Sequence, residues 1–396
     1  MTAVERIAGA TGWTAGQVWT VALGVAVAVP ASIFGLGPAL DDAVGDAQPL
    51  AAPPAAAHVA TGAPSPAPVA AAAPAILPAG GATRSPGGGA TGTPTGSGPG
   101  AAVPPASPVG PLATIDGPGS VRALAVAADA VVVAVDAGPG ASGRAVVVDL
   151  GGDVVADVAL EADGVRFASP GGVAVSEHGT FVTTSSPPAL LRVDVGGSSV
   201  TKVADLTDEP ICLPLPAAPC PRPAHLAVAD DGVVYVADRG QGCILRIGPG
   251  EDVATAWLCE LSFVASPAAA AADAAGLTGL AVAGDRVVVS VAAAVDGTDR
   301  VSEVPIVEGA PGDVHQLATP ATGSGTSGVA VLADGRIVAT LTGRDALLVV
   351  AADGTSSEEV PLAPLAAPFD VDVIDGDLLV AHAADGAAGA VTRRPL

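Results

Sequence analysis

A cluster of four aspartates near the C-terminus is the densest set of side chains that could do chemistry. The stretch FDVDVIDGDL carries Asp370, Asp372, Asp375 and Asp377. Carboxylate oxygens at close spacing are the ligands that Ca²⁺ prefers, although their order here departs from the EF-hand pattern. The alternation of Asp and Val also describes a β-strand that ends in a tight turn. We take the strand as the simpler interpretation and keep cation binding as the alternative.

The cysteines form a second group, and all four lie within one part of the chain: Cys212, Cys220, Cys243 and Cys259. An even number of cysteines in an exported protein favours disulfides. If CILRIGPGEDVATAWLC is a hairpin that turns near Gly250, Cys243 and Cys259 face each other at a distance that a disulfide can span. Cys212 and Cys220 would then close the Pro-rich loop between them. Other pairings and free thiols stay open as alternatives.

The remaining motifs give no catalytic centre. His225 and His382 lie at or near the ends of predicted strands, and His178 lies in a predicted turn, without the serine and carboxylate partners of a triad. The string GPGASG at 138–143 is followed by a strand rather than a helix, so we interpret it as a hairpin loop. No C-x-x-C pair is present to hold zinc, and Lys202 is the only lysine available to a Walker motif. We therefore predict no catalytic residues.

Charge and composition narrow the class of protein. The 396 residues include 40 acidic and 16 basic side chains, which gives a formal net charge of -24. Such a surface repels the phosphate backbone, so binding to nucleic acid is not expected. Asparagine does not occur, and aromatic residues make up 2% of the chain.

An apolar segment near the N-terminus predicts membrane insertion. Val18 to Leu36 is an almost unbroken apolar run of 19 residues, which spans roughly 28 Å as a helix. We assign residues 1–17 to the cytoplasm and 18–40 to a transmembrane helix or signal anchor, because Arg6 precedes the run and Asp41 and Asp42 follow it. A cleaved signal peptide, and hence a secreted protein, is the alternative.

Residues 41–111 have the composition of a disordered linker. In 47–111, 55 of 65 positions are Ala, Pro, Gly, Ser or Thr, and Arg84 is the only formal charge. Such a segment buries too little apolar surface to offset the entropy of ordering. The linker would carry the rest of the chain away from the bilayer.

A repeated unit fills residues 112–396. Each copy opens with a short strand, and the six first strands are ALAV (123–126), GVAV (172–175), HLAV (225–228), GLAV (279–282), GVAV (328–331) and DVDV (370–373). A Gly or Asp turn and further apolar strands follow each of them. Units of about 40–54 residues with several short strands predict an all-β, six-bladed β-propeller. The last unit has room for only three strands, so the segment at 110–117 is expected to supply its fourth.

The stretch HLAVADDGVVYVADRGQGCILRI (225–247) resembles one blade of the NHL and gluconolactonase-like six-bladed propellers. In the gluconolactonase-like enzymes this resemblance implies a central cation held by Glu, Asn and Asp. Because asparagine is missing, that ligand set cannot form in its usual way. Asp370, Asp238 and Asp231 are the candidates for a substitute metal site, although a turn or loop role suits each of them better.

These features lead to two functional hypotheses. The first is a membrane-tethered, monomeric propeller outside the cytoplasm that binds a protein or cell-envelope partner at its loop face, without catalysis and without a cofactor. The second is a divalent-metal-dependent hydrolase of the lactonase or strictosidine-synthase-like type, with Ca²⁺ as the candidate ion. The composition favours the first hypothesis, because the asparagine that the second needs is missing.

Overall fold

The computed structural model describes residues 111–196, 198–206, 221–266, 269, 275–362, 366–383 and 387–395. The predicted membrane segment at 18–40, the linker up to residue 110, Cys212 and Cys220 lie outside these residues. Within the described part of the chain, no helix combines the length and the apolar character that a bilayer crossing requires.

Six antiparallel sheets form the domain, so the predicted six-bladed β-propeller is confirmed. The strands of the first three blades are β2 (Ser120–Val126), β3 (Ala130–Asp136), β4 (Arg144–Asp149) and β5 (Val154–Ala159); β8 (Ala168–Ser176), β9 (Gly179–Ser186), β10 (Pro188–Asp194) and β11 (Ser199–Asp205); and β12 (Pro223–Val228), β13 (Val234–Asp238), β14 (Cys243–Ile247) and β15 (Thr255–Cys259). A small hairpin, β6 (Glu161–Ala162) and β7 (Val165–Arg166), lies between blades one and two.

The other three blades follow the same plan. Their strands are β16 (Gly276–Ala283), β17 (Arg286–Ala292), β18 (Arg300–Val307), β19 (Ala310–Pro311) and β20 (His315–Ala318); β21 (Thr326–Val331), β22 (Ile337–Leu341), β23 (Ala346–Val350) and β24 (Ser357–Pro361); and β25 (Ala366–Ile374), β26 (Asp377–Ala383) and β27 (Gly389–Pro395). Helix in the described residues is limited to short 3-10 turns at Leu261–Phe263 and Thr342–Arg344.

The ends of the domain close the ring. Strand β1 (Pro111–Ile115) pairs antiparallel with β27, with Ala113 opposite Val391 and Ile115 opposite Gly389. The expectation that the segment at 110–117 supplies the fourth strand of blade six is therefore confirmed. Pairing the two ends removes an open sheet edge and joins the first and last blades.

Apolar side chains on both faces of each sheet pack the blades together. Six separate clusters of buried residues form, one between each pair of neighbouring blades around the ring. Val and Ala dominate these clusters, because strands that are covered on both faces need compact side chains in every position. The nearly continuous Val runs of the sequence are thus explained by burial on both sides.

Hydroxyl groups link neighbouring blades close to the central axis. Thr183 Oγ1 accepts a hydrogen bond from Gly172 N at 3.0 Å and donates one to the carbonyl of Ala224 in blade three. Thr278 Oγ1 donates to the carbonyl of Thr326 in blade five at 2.8 Å. These bonds satisfy carbonyls of inner strands that have no strand partner on the axis side.

Candidate functional site

The innermost strands β2, β8, β12, β16, β21 and β25 form a ring around the axis, in which each contacts the next. They enclose a cavity of about 210 Å³, here called the channel cavity, that all six strands line. Aspartate occurs in only one of these strands, at Asp370 and Asp372 of blade six. The repeat carries Ala at the position of Asp372 in the other five blades.

The two channel aspartates are bound to the backbone of blade one. Asp370 Oδ2 accepts a hydrogen bond from Leu124 N, and Asp372 Oδ2 accepts one from Val126 N, both at 2.8 Å. Their Oδ1 atoms accept from the N–H groups of Val371 and Val373. Two carboxylates spaced two residues apart thus cap two N–H groups of the same spacing on the free edge of β2. The two aspartates therefore have a structural role, because they join blade six to blade one.

Burial shifts the protonation of both carboxyl groups. Burial raises the pKa of Asp370 to about 8, against the lowering effect of the Leu124 and Val371 N–H groups. Burial also raises the pKa of Asp372 to about 6, with a further contribution from the charge of Asp370. The carboxyl group of Asp370 therefore favours its neutral form near neutral pH.

His225 lies opposite Asp370 across the axis, since blades three and six are diametrically placed. Its Nε2 is 3.5 Å from Asp370 Oδ1, and both side chains are buried. Burial lowers the pKa of His225 to about 4, and the charge of Arg239 lowers it further. Gly172 and Gly328 leave room for these two residues, because a Cβ at Gly172 would lie 2.7 Å from His225 Cα and one at Gly328 would lie 2.0 Å from Asp370 Oδ1. The pair narrows the channel.

His225 also lines a second cavity, here called the mouth cavity, at the rim where the inner strands begin. This cavity has a volume of about 230 Å³ and receives residues from all six blades. Among the described residues that line it, the charged side chains apart from His225 are Arg122, Asp136, Arg222 and Arg239. Three of these four side chains are arginines, whereas residues 112–396 as a whole hold 36 acids and 14 bases.

The arginines belong to two blades. Arg122 lies in β2, and its guanidinium is 3.1 Å from Asp136 Oδ2. Arg222 immediately precedes β12, where its backbone N–H donates to Asp238 Oδ1 at 2.9 Å, and Arg239 directly follows β13. Asp238 is buried, which raises its pKa, and it also accepts a hydrogen bond from Gly240 N at 2.9 Å. Asp238 thus holds the backbone that carries the two arginines of blade three.

The three metal candidates of the sequence do not meet. Asp370 lies in the channel, Asp238 lies at the end of β13, and Asp231 lies in the exposed turn before β13, where it accepts a hydrogen bond from Val233 N. Among the described residues, no three His, Cys, Asp or Glu side chains form a group that could hold a metal ion. All four oxygens of the channel carboxylates already accept backbone N–H groups. These residues do not fit the central cation of the gluconolactonase-like enzymes.

Other predicted residues take structural positions. Cys243 and Cys259 are joined by a disulfide between the directly paired strands β14 and β15. His382 is buried, and its Nδ1 lies 2.9 Å from the carbonyl of Ala383. His178 Nε2 lies 3.1 Å from the carbonyl of Asp230 in the next blade.

The arginines of the mouth cavity are the residues that the sequence interpretation missed. A signal for them is present, because Arg122, Arg222 and Arg239 each stand next to the beginning of a first strand or the end of a second strand. In an antiparallel blade these two positions lie at the same rim. Mapping the few basic residues onto the repeat would therefore have placed all three together.

Comparison with known proteins supports the fold. No protein-family model and no curated protein matches the chain. Among solved structures, a gluconolactonase from Xanthomonas campestris is similar with 15% identity and a TM-score of 0.50, over 74% of this chain and 98% of that chain. An aldose sugar dehydrogenase from Streptomyces coelicolor, solved with bound PQQ, has 17% identity and a TM-score of 0.49, over 74% and 99% of the two chains.

A virginiamycin B lyase from Staphylococcus aureus has 14% identity and a TM-score of 0.47, over 70% of this chain and 80% of that chain. At these identities the likeness concerns the fold alone. The likeness to the gluconolactonase structure supports the propeller fold that the resemblance of the repeat at 225–247 implied.

Proposed function

We propose that the protein is a non-catalytic binding module that receives a ligand in the mouth cavity. The ligand is a small molecule or an exposed group of a protein or cell-envelope partner. The observation that carries this proposal is the placement of Arg122, Arg222 and Arg239 around one cavity of a strongly acidic domain. Concave sites with a few convergent polar groups are the usual places for ligand binding.

The channel cavity supports the proposal because its charged residues have a structural role. Its carboxylates accept hydrogen bonds from Leu124 and Val126, so their placement is explained by the closure between blades six and one. A hydrolase that depends on a cation needs carboxylate oxygens directed at the ion. The mouth cavity instead offers guanidinium and hydroxyl donors, which bind an electron-rich group without changing it.

We propose further that the module is held outside the cytoplasm by the apolar segment at 18–40. The Cys243–Cys259 disulfide supports this location, because disulfides persist in oxidising compartments. Extraction of isolated membranes with alkaline carbonate provides the test. The full chain is expected in the pellet, and its appearance in the supernatant would contradict an uncleaved anchor.

Thermal melting of the full chain with small-molecule probes tests the binding function. The probes are neutral sugars, amino acids, carboxylates and inorganic phosphate, and we expect at least one class to raise Tm by several degrees, because a ligand that binds only the folded state stabilises it. Ser327 lines the cavity, so the Ser327→Phe variant should fill it and abolish the shift. A series without any shift, or a shift that Ser327→Phe leaves intact, contradicts the proposal.

The same measurement with EDTA or added Ca²⁺ separates the proposal from the hydrolase. We expect Tm to stay unchanged under both conditions. A rise of several degrees with Ca²⁺ would show a cation site and favour the metal-dependent enzyme.

A further inference from the structure

We propose that a cavity between blades three and four is a second binding site, which takes a small organic cation with an ammonium group on an apolar body. This cavity, here called the side cavity, lies at the rim opposite the mouth cavity, where the inner strands β12 and β16 end. The inference goes beyond the proposed function, because no described residue lines both the side cavity and the mouth cavity.

Apolar side chains of both blades line the side cavity. Its volume is about 300 Å³, which is roughly ten times the space that one water molecule takes up in the liquid. Val228 and Val233 come from blade three, and Val282 and Ile306 come from blade four. Such a wall favours a ligand with an apolar body, because binding then removes apolar surface from water.

The wall that blade four contributes is attached to blade three. The turn between β18 and β19 reaches the side cavity with Gly309, whose carbonyl accepts a hydrogen bond from Trp257 Nε1 at 2.9 Å. The rings of Trp257 and Tyr235 make an edge-to-face contact with centroids 5.1 Å apart. Tyr235 is buried and lines the cavity. The cavity is therefore formed before a ligand binds, which reduces the free-energy cost of binding.

Blade three departs from the repeat at the side cavity. Tyr235 is the single tyrosine of the chain, and it pairs with Ala227 of the inner strand. At the same position the other five blades carry residues without a polar group, namely Val132, Phe181, Val288, Val338 and Leu379. The preceding turn holds two adjacent carboxylates, Asp230 and Asp231, whereas the turn after each of the other inner strands holds one. Proteins depart from a regular pattern mainly at functional or strained sites.

The balance of charge in the side cavity favours a cation. Asp230 and Asp231 line the cavity and are exposed, and no ion pair joins either carboxylate to another described residue. Arg246 is the one basic residue among the described residues of the wall. It interacts with the Tyr235 hydroxyl, and its Nη1 lies 3.9 Å from Glu251 Oε2. The charge that lacks a partner is therefore negative, and the acidic domain as a whole also attracts cations.

The lining favours an organic cation over a metal ion. Within the described part of the chain, no three His, Cys, Asp or Glu side chains form a group that could hold a metal. A bare ion would also leave the apolar wall uncovered. An ammonium group can donate charge-assisted hydrogen bonds to the carboxylates of Asp230 and Asp231, while its carbon chain packs against Val282 and Ile306.

Isothermal titration of the full chain at low salt tests the inference. The probes are hexylammonium, phenethylammonium, the matching neutral alcohols 1-hexanol and 2-phenylethanol, methylammonium and hexanoate. We expect at least one of the two larger ammonium probes to bind at least tenfold more tightly than its alcohol, methylammonium and hexanoate. Raising NaCl to 0.5 M should weaken the binding, because the contact is between charges.

Substitution of the two carboxylates locates the site. The double variant Asp230→Asn with Asp231→Asn should weaken the best ammonium probe at least tenfold. The amide oxygen at position 231 can still accept the Val233 N–H, which now donates to Asp231 Oδ1 at 3.1 Å, so the turn is kept. The matched control is Asp129→Asn with Asp375→Asn, which removes two exposed carboxylates from turns of the same rim and should change the affinity less than twofold.

A filling variant tests the cavity itself. Val282→Phe should occupy the side cavity and abolish binding of the ammonium probe. Ser327→Phe fills the mouth cavity instead and should leave this binding unchanged. Circular dichroism and melting of each variant confirm that it is folded, and the two Asn variants keep the test decisive if Val282→Phe does not fold.

The outcomes separate this inference from the proposed function. Equal binding of the alcohol, tighter binding of hexanoate, or full affinity in the double variant at 230 and 231 overturns the cation site. An equal loss in the control variant also overturns it, because the probe then responds only to the charge of the whole rim. If Ser327→Phe abolishes the binding, the cation binds in the mouth cavity, so the proposed function stands and the side cavity is wrong. If no ammonium probe binds, the side cavity fails as a site, and the mouth cavity is still judged by its own probes.

Discussion

All six inner strands line both the mouth cavity and the channel cavity, yet the charged residues of the two cavities serve different purposes. In the channel, Asp370 and Asp372 accept the free N–H groups of blade one, and His225 faces Asp370. In the mouth, arginines of two blades surround an open volume. Charged groups near a propeller axis can therefore have a purely structural role, and their hydrogen-bond partners must be known before catalysis or metal binding is assigned to them. Substitutions in the channel should change stability, whereas substitutions in the mouth should change binding.

Gly328→Ala should have the largest effect on the channel. The added Cβ would lie 2.0 Å from Asp370 Oδ1 and 2.5 Å from Asp370 Cα. Relief of this overlap requires movement of blade five or six, and we expect a loss of about 3 kcal/mol in the free energy of unfolding. Urea denaturation measures it. Gly196, with its nearest contact at 3.6 Å, is the control: Gly196→Ala should change stability by less than about 0.5 kcal/mol. If both variants lose the same free energy of unfolding, the close approach of Gly328 to Asp370 is contradicted.

The pH dependence of stability should report the buried carboxyl group of Asp370. Its pKa of about 8 in the folded protein lies above the value of about 3.9 in the unfolded chain. The folded state therefore binds more protons, so stability is lost as pH rises and levels off above the folded pKa. Between pH 6.5 and 8.5 we expect a loss of about 2 kcal/mol.

Asp370→Asn should remove this decrease of stability between pH 6.5 and 8.5. Asp375→Asn, in an exposed turn of the same blade, should retain the decrease. This window avoids most of the opposing titration of His225, whose pKa is lowered to about 4. Denaturation curves in buffers across the window provide the measurement. A slope that persists in Asp370→Asn would assign the effect to another group.

Thr183→Val tests the hydroxyl link between blades two and three. The substitution keeps the shape of the side chain but removes the acceptor for Gly172 N and the donor to the Ala224 carbonyl. We expect the free energy of unfolding to fall by about 1–2 kcal/mol, because both buried backbone groups lose a hydrogen-bond partner. Thr201→Val, on the exposed strand β11, should change stability by less than about 0.5 kcal/mol. If the two variants lose the same free energy of unfolding, the hydroxyl link between blades two and three does not contribute to stability.

Arg122→Ala should have the smallest effect on stability. Its ion pair with Asp136 is partly exposed, with 34% of the arginine side chain accessible, and such pairs contribute about 0–1 kcal/mol to the free energy of unfolding. Because Arg122 lines the mouth cavity, the same variant should reduce the rise in Tm that a bound probe produces. A large loss of stability without a loss of binding would reverse the roles assigned to the mouth and the channel.

Much of the fold could be predicted from the sequence because its signals are local. The alternation of Val-rich strands with Asp and Gly turns repeats six times, and each copy forms one blade. The short sixth copy required a strand from elsewhere, and the pairing of β1 with β27 supplies it. The Cys243 and Cys259 positions likewise follow from one hairpin, in which they are directly opposed. Each inference needed only neighbouring residues or the number of copies.

The site could not be predicted in the same way, because it depends on contacts between distant blades. The sequence determined that Asp370 and Asp372 stand two residues apart on one strand, but only the tertiary structure decided that they cap Leu124 and Val126 across the ring closure. Likewise, the sequence holds few basic residues, and Arg122 and Arg239 are 117 positions apart. They line one cavity because the circular arrangement of the blades brings their strand ends to the same rim, an arrangement that packing between blades establishes and no local pattern encodes.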